Sequence, residues 1–311
     1  MDEWTKEKIC ETVKEIKQNG IINYRFGYNK PIELEYLNEY AFSERPDLIL
    51  NISPNNRDYI LTQRELLLLS KLNNVKKLHL NNINNTYLLP VRNMKNITSL
   101  EITTFNSITD LLFIDEFIQL KELIVRGTVR HMEAIGKCSS LEYLHLSTTI
   151  NDYGFIKPLK HLKSICIDNC LSTNDFSLLN KPSLEDISII SIQRLKNTDS
   201  IKELKHVKKI RLHAIKLKVL PAMDSLTNLR ELELSHMKSW ENPEIIKTIP
   251  KLEKLKLCNI TTELKAERFY FLSEIKTLKE LDIRFIDRNK TRINKLTGWL
   301  TENGKQHIIV H

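Results

Sequence analysis

The chain has 311 residues, 41% of them hydrophobic and 28% charged, with a formal net charge of +8, so it can bury a large core and is not a disordered polymer. No stretch approaches 18 uninterrupted apolar residues, which excludes a membrane-spanning helix. The opening Met1-Asp2-Glu3-Trp4-Thr5-Lys6 carries acids with no apolar run behind it, and the five cysteines are an odd, sparse set; both predict a cytoplasmic chain with free thiols.

In chain order, Trp4, Ile9, Val13 and Ile16 share approximate helical spacing, and Asn19-Gly20 stops that helix. Ile21 to Phe26 reads as a short strand, and Pro31 opens a second helix through Ala41. Leu48 to Ile52 reads as a degenerate strand. Thr62 and Glu65 have capping-box spacing ahead of Leu66, Leu67, Leu68 and Leu69, which predicts a buried helix.

From Val75 onward one pattern recurs: apolar, two free positions, apolar, one free position, apolar. It is clearest at Leu229-Leu232-Leu234. It occurs ten times, the first at Val75-Leu78-Leu80 and the last at Leu278-Leu281-Ile283, about one copy per 22–23 residues. Alternation within the last three positions predicts a strand with one buried face. Such a unit cannot bury its apolar side alone, so the copies must stack. The connecting residues Ile150, Phe155, Ile156 and Leu159, and Leu217, Leu220, Met223 and Leu226, supply the opposite wall of the core. After the repeats, Ile293, Leu296, Trp299 and Leu300 share a helix face, with Trp299 expected in the core. Asn303-Gly304 stops that helix, and His307 to Val310 predicts a last strand.

Over residues 48–286 the chain resembles the leucine-rich-repeat family, and Ile150 to Leu162 resembles the bacterial internalin type of 22-residue repeat. The resemblance implies an α/β, right-handed solenoid, or horseshoe. A parallel sheet of about ten strands would line its concave face, with short helices or 3-10 turns on the convex face. Residues 1–47 and 287–311 read as the N- and C-terminal caps of one structural domain. One departure stands out. Three residues past the last strand leucine the family usually has Asn; here stand Ile83, Phe105, Thr128, Thr149, Cys170, Ile192, Ile215, Met237, Ile260 and Ile286, so those turns should be less regular.

No phosphate-binding glycine loop, nucleophile elbow or His-Glu-x-x-His motif occurs, so a non-enzyme is expected, with no cofactor and no metal. His79, His145 and His213 are three repeats apart, too far to share an ion. Cys166 and Cys170 should point to opposite sides.

What remains is the outward strand face. Ile124, Tyr143 and Ile190 are its apolar and aromatic members, ringed by polar groups as in a binding hot spot. Arg126, His145 and Asp168 flank them. Further along, Lys209/Arg211, Glu231/Glu233, Lys254/Lys256 and Glu280/Asp282 alternate in sign. That alternation allows pairing within the sheet as well as partner recognition, and it lacks the uninterrupted basic track that nucleic acid needs. Residues 194–295 carry 24 Lys/Arg against 14 Asp/Glu, a net +10, and their dense run Lys202, Lys205, Lys208, Lys209, Arg211, Lys216 and Lys218 forms a belt around one repeat, which suits either solubility or an acidic protein partner. The expected function is a monomeric scaffold binding another protein on its concave face, away from membranes. A bacterial cytosolic binder of the immunity type is the specific form, a secreted or injected effector acting on host proteins the alternative, and nucleic-acid binding a third.

Overall fold

The computed structural model describes residues 5–56, 59–169, 172–173, 175–192, 195, 198–214, 216–261, 263–285 and 290–310. Trp4, Cys170, Ile215 and Ile286 therefore lie outside the described residues. The chain forms two compact units, Met1–Thr148 with Gly154–Leu162, and Thr149–Tyr153 with Lys163–His311.

The first unit opens with helix α1 (Lys6–Glu15), capped by the Thr5 hydroxyl and buried through Ile9 and Val13. Asn19 then turns with φ of 59° and leads into β1 (Ile21–Phe26). Pro31 starts α2 (Pro31–Tyr36), which continues as a π-helical turn over Leu37–Phe42. Strand β2 (Ile49–Pro54) and helix α3 (Gln63–Leu69) follow. The capping box is formed: the Glu65 N–H donates to the Thr62 hydroxyl at 3.3 Å and the Thr62 N–H to the Glu65 carboxylate at 2.7 Å. Of the four leucines behind it only Leu66 and Leu69 are buried; Leu67 is 47% exposed, because a single helix on a flat layer buries one stripe.

Strands β3 (Lys77–Ile83) and β4 (Ser99–Thr104) come next, then a short β5 (Thr109–Asp110), β6 (Glu122–Arg126), β7 (Val129–Arg130) and β8 (Tyr143–Ser147). The six longer strands lie parallel and in sequence order, with β5 and β7 pairing separately. Strand leucines sit opposite their equivalents: Leu78 with Leu100, Leu100 with Leu123, Leu123 with Leu144. All four are 0% exposed. Short 3-10 segments at Leu89–Asn93, Leu111–Glu116, Met132–Lys137 and Gly154–Ile156 face the strands across that core, burying Val91, Ile114, Ile135 and Ile156.

The second unit holds β9 (Ser164–Asp168), β10 (Asp186–Ile190), β11 (Lys209–His213), β12 (Glu231–Ser235), β13 (Lys254–Ile260) and β14 (Glu280–Phe285), parallel and in register. Leu217, Leu220, Met223 and Leu226 are buried behind them as expected, and Tyr153 is buried too, whereas Phe155, expected in the core, is half-buried. The Tyr153 ring lies 6.0 Å from Phe176, and its hydroxyl bonds the Ser172 hydroxyl at 2.6 Å.

Helix α4 (Lys290–Glu302) closes this unit by burying Leu296 and Leu300. Trp299 and Ile293 are only half-buried. Trp299 stacks on Tyr270 at 4.3 Å and donates its indole N–H to the Tyr270 carbonyl at 3.3 Å, so it seals a rim rather than filling a core. The predicted last strand is reduced to a bridge of Ile309 with Leu281, since Gln306–Ile308 turns as 3-10 helix. Among the described residues the sheets hold twelve long strands where ten repeats were read, because β1 and β2 pair with each other and β2 with β3.

The turns after the strands share one backbone feature among the described residues. Two residues past the last strand apolar position, Asn82, Gly127, Asn169, Ser191, His236 and Asn259 all have positive φ. At four of these the N–H donates to the next coil: Gly127 to Ser147, Asn169 to Ile190, Ser191 to His213 and His236 to Cys258, at 2.9–3.1 Å. At the position after these, Ile83, Ile192, Met237 and Ile260 are buried, whereas Phe105, Thr128 and Thr149 at the equivalent places are exposed. Among the described residues the register shifts at Leu80/Ile83 and Cys258/Ile260.

Candidate interaction face on the strands

Alternation along each strand turns every second side chain away from the leucine core. In the first unit this builds three rows. One runs Lys77, Ser99, Glu122, Tyr143; the next His79, Glu101, Ile124, His145; the third ends Thr103, Arg126, Ser147. The register thus sets Tyr143 beside Glu122 and Ile124 beside His145 on neighbouring strands. Tyr143, Ile124 and His145 are each half-buried, less open than exposed apolar side chains elsewhere on the unit. Arg126 pairs with Glu101, which also faces His79 at 3.8 Å, and Ser99 donates to Glu122 at 2.8 Å. Burial holds the His79 pKa below its ordinary value against the pull of Glu101 and Glu122.

Of the candidate residues in the second unit, Asp168 and Ile190 share one row with His213, while Lys209, Arg211, Glu231 and Glu233 form two adjacent rows. The alternating charges pair within the sheet. Lys209 meets Glu231 at 2.8 Å, Lys256 meets Glu233 at 3.3 Å, Lys254 meets Glu280 at 2.9 Å, and Arg211 meets Asp186 at 2.5 Å. The first three pairs line a shallow groove of about 350 Å³ together with Leu232, Leu255, Asp282 and Val310. Lys208 and Lys218 of the basic belt are paired as well, with Glu185 and Glu241. Cys166 is half-buried on the outward side, as the alternation predicts. Among the described residues no group of three His, Cys, Asp or Glu side chains could hold a metal ion.

Two features escape a reading of the strand pattern. The first is a row of exposed leucines on the 3-10 side of the first unit: Leu67, Leu89 and Leu112, 47%, 50% and 42% exposed. Each stands eleven residues before the first strand leucine, so the repeat alignment carries the signal. Beside them Tyr87 is 63% exposed and packs under the Arg130 guanidinium at 5.0 Å. The second is a pair of imidazoles: His213 stacks on His236 at 4.1 Å and 18°. Burial and the neighbouring ring both depress the His213 pKa.

No protein-family model matches the chain, and no curated protein matches it in sequence. Solved structures do match. An internalin, inlF, from Listeria monocytogenes superposes with a TM-score of 0.53 at 18% identity, over 88% of each chain. This is the leucine-rich-repeat fold. The same repeats superpose on TLR13 from its complex with ssRNA13, TM-score 0.56 at 17% identity, over 88% of this chain and 42% of that one. Mouse RP105 in its MD-1 complex gives 0.54 at 16% over 94% and 54%. The leucine-rich repeats of this chain therefore match the fold expected from its spacing.

Proposed function

We propose that the chain is a non-catalytic scaffold that binds a protein partner through its strand face. The observation carrying this reading is the Tyr143–Ile124–His145 group. A tyrosine and an isoleucine on neighbouring strands, half-buried and bordered by Glu122, Glu101 and Arg126, combine rigid apolar area with a polar rim. The strands hold these side chains at fixed spacing, so little order is lost on binding. Pairing of the alternating charges leaves no continuous basic track, which weighs against nucleic acid. The specific form proposed is a bacterial cytosolic binder of the immunity type, with an effector acting on host proteins as the alternative.

The test uses the whole chain as bait in its native cell, beside a Tyr143→Ala bait. The partner should be the protein enriched with the first and depleted with the second. Equal recovery on both baits would remove Tyr143 from the site.

A further inference from the structure

The strand face of the second unit is written in columns of charge. Column by column, the two rows nearest the strand starts read Asp186; Lys209 and Arg211; Glu231 and Glu233; Lys254 and Lys256; Glu280 and Asp282. Four cations face five anions, and Arg284, paired to Asp282, balances the set. A face that is neutral overall exerts little long-range attraction for a partner of either sign. It discriminates by spacing instead. The lateral pairs fix where each charge stands, while every side chain in the three charge pairs Lys209–Glu231, Glu233–Lys256 and Lys254–Glu280 keeps 29% to 50% of its surface open. Each ion therefore retains capacity for a second, opposite charge from above.

The geometry points to an α-helix as the occupant, lying across the strands along the groove, with acidic and basic residues alternating one turn apart. Neighbouring strands are spaced about 4.8 Å apart. A helix advances about 5.4 Å per turn. Over the three steps from the Lys209/Arg211 column to the Glu280/Asp282 column the two differ by about 2 Å, which long side chains absorb. An extended chain on the same path presents one face every ~6.7 Å and would be out by about 6 Å over those steps. The two charges in each column are ~6.7 Å apart, so a helix about 10 Å wide covers both rows. Acids at i and i+7 with bases at i+4 and i+11 put four alternating charges on one helix face. This inference rests on the strand faces being the binding surface.

The probe is a pair of fluorescent peptides of about 18 residues, stapled on the far side so that both are equally helical. One carries Glu, Lys, Glu, Lys at peptide positions 4, 8, 11 and 15. The other carries Glu, Glu, Lys, Lys at the same positions. With the full chain, the alternating peptide should bind at least ten times more tightly by anisotropy. Reversing one column with Lys254→Glu and Lys256→Glu should abolish that preference, and a peptide with Lys at position 11 should recover it. Glu231→Lys with Glu233→Lys, rescued by Glu at position 8, gives an independent reversal if the first variant fails to fold. Equal affinities for the two peptides, or a preference that survives column reversal, would overturn the inference. Equal affinities that are nonetheless lost on column reversal would sink the helical alternation alone and leave the strand face as the surface used.

Discussion

Two residues hold the turn ladders in ways that a substitution can measure. Gly127 has φ of +106°, and an added Cβ would collide with the Thr104 hydroxyl and approach the Thr104 carbonyl oxygen to 2.7 Å. Gly304 also has positive φ, at +73°, but faces open space. Gly127→Ala should therefore lower stability by about 1–3 kcal/mol, and by more than Gly304→Ala, in denaturant titrations. His213 belongs to the second unit, where its carbonyl accepts from the Ser191 N–H at 3.1 Å. Its folded pKa is depressed, first by burial and then by His236, so the unfolded chain takes up its proton first. Its contribution to stability is whole above the ordinary histidine value of about 6.5 and is lost as pH falls from there toward the folded pKa. The melting temperature of His213→Asn should accordingly fall less than that of the wild type between about pH 7 and pH 5. Identical acid slopes for the two proteins would show that His213 does not titrate on unfolding.

At the scale of the elements, stability resides in the inward strand positions and in the side chains that join coils. Leu234 is 0% exposed between two equivalent leucines, whereas Glu233 points outward. Leu234→Ala should cost about 2–5 kcal/mol, and Glu233→Ala about 0.5 kcal/mol or less. Equal denaturation midpoints would mean that the faces are reversed. Asn242 joins coils differently. Its amide accepts from the Leu220 N–H at 3.1 Å, donates to the Leu220 carbonyl at 3.0 Å, and accepts from the Trp240 indole at 3.0 Å. Asn85 treats Leu61 in the same way, at 2.9 and 2.8 Å. Asn242→Ala leaves these groups unpaired and should cost about 1–3 kcal/mol, well beyond Asn228→Ala, whose amide makes one exposed bond to the Lys205 carbonyl. These two asparagines stand where no periodic pattern marks them. The strand leucines, the Thr62 capping box and the outward rows were legible because each follows from a local period. The Asn amides, the positive-φ ladder and the His213–His236 stack were not, since they depend on which residues of successive coils come opposite each other. Trp299 and Leu67 went astray for a related reason: helix periodicity names an apolar stripe but not how deep its edges sit.

For the molecule as a whole, charge separates into two kinds of surface. The net +10 of residues 194–295 suits either solubility or an acidic protein partner. Four of its densest cations, Lys208, Lys209, Arg211 and Lys218, are paired with acids of adjacent coils. Exposed pairs of this kind stabilise little, so their value lies in placing charge rather than in holding the fold. Apolar side chains also reach the surface of the first unit, half-buried on its strand face at Tyr143 and exposed on its 3-10 side at Tyr87 and the leucine row. The two surfaces compete for the role of partner site, and each carries a tyrosine. Hydroxyl-radical labelling of the chain, free and bound to the partner captured on the wild-type bait, reads both side chains in one experiment. Oxidation of Tyr143 should fall at least several-fold in the complex while that of Tyr87 stays as it is in the free chain. Protection of Tyr87 with Tyr143 still oxidised at its free rate would contradict the strand-face account.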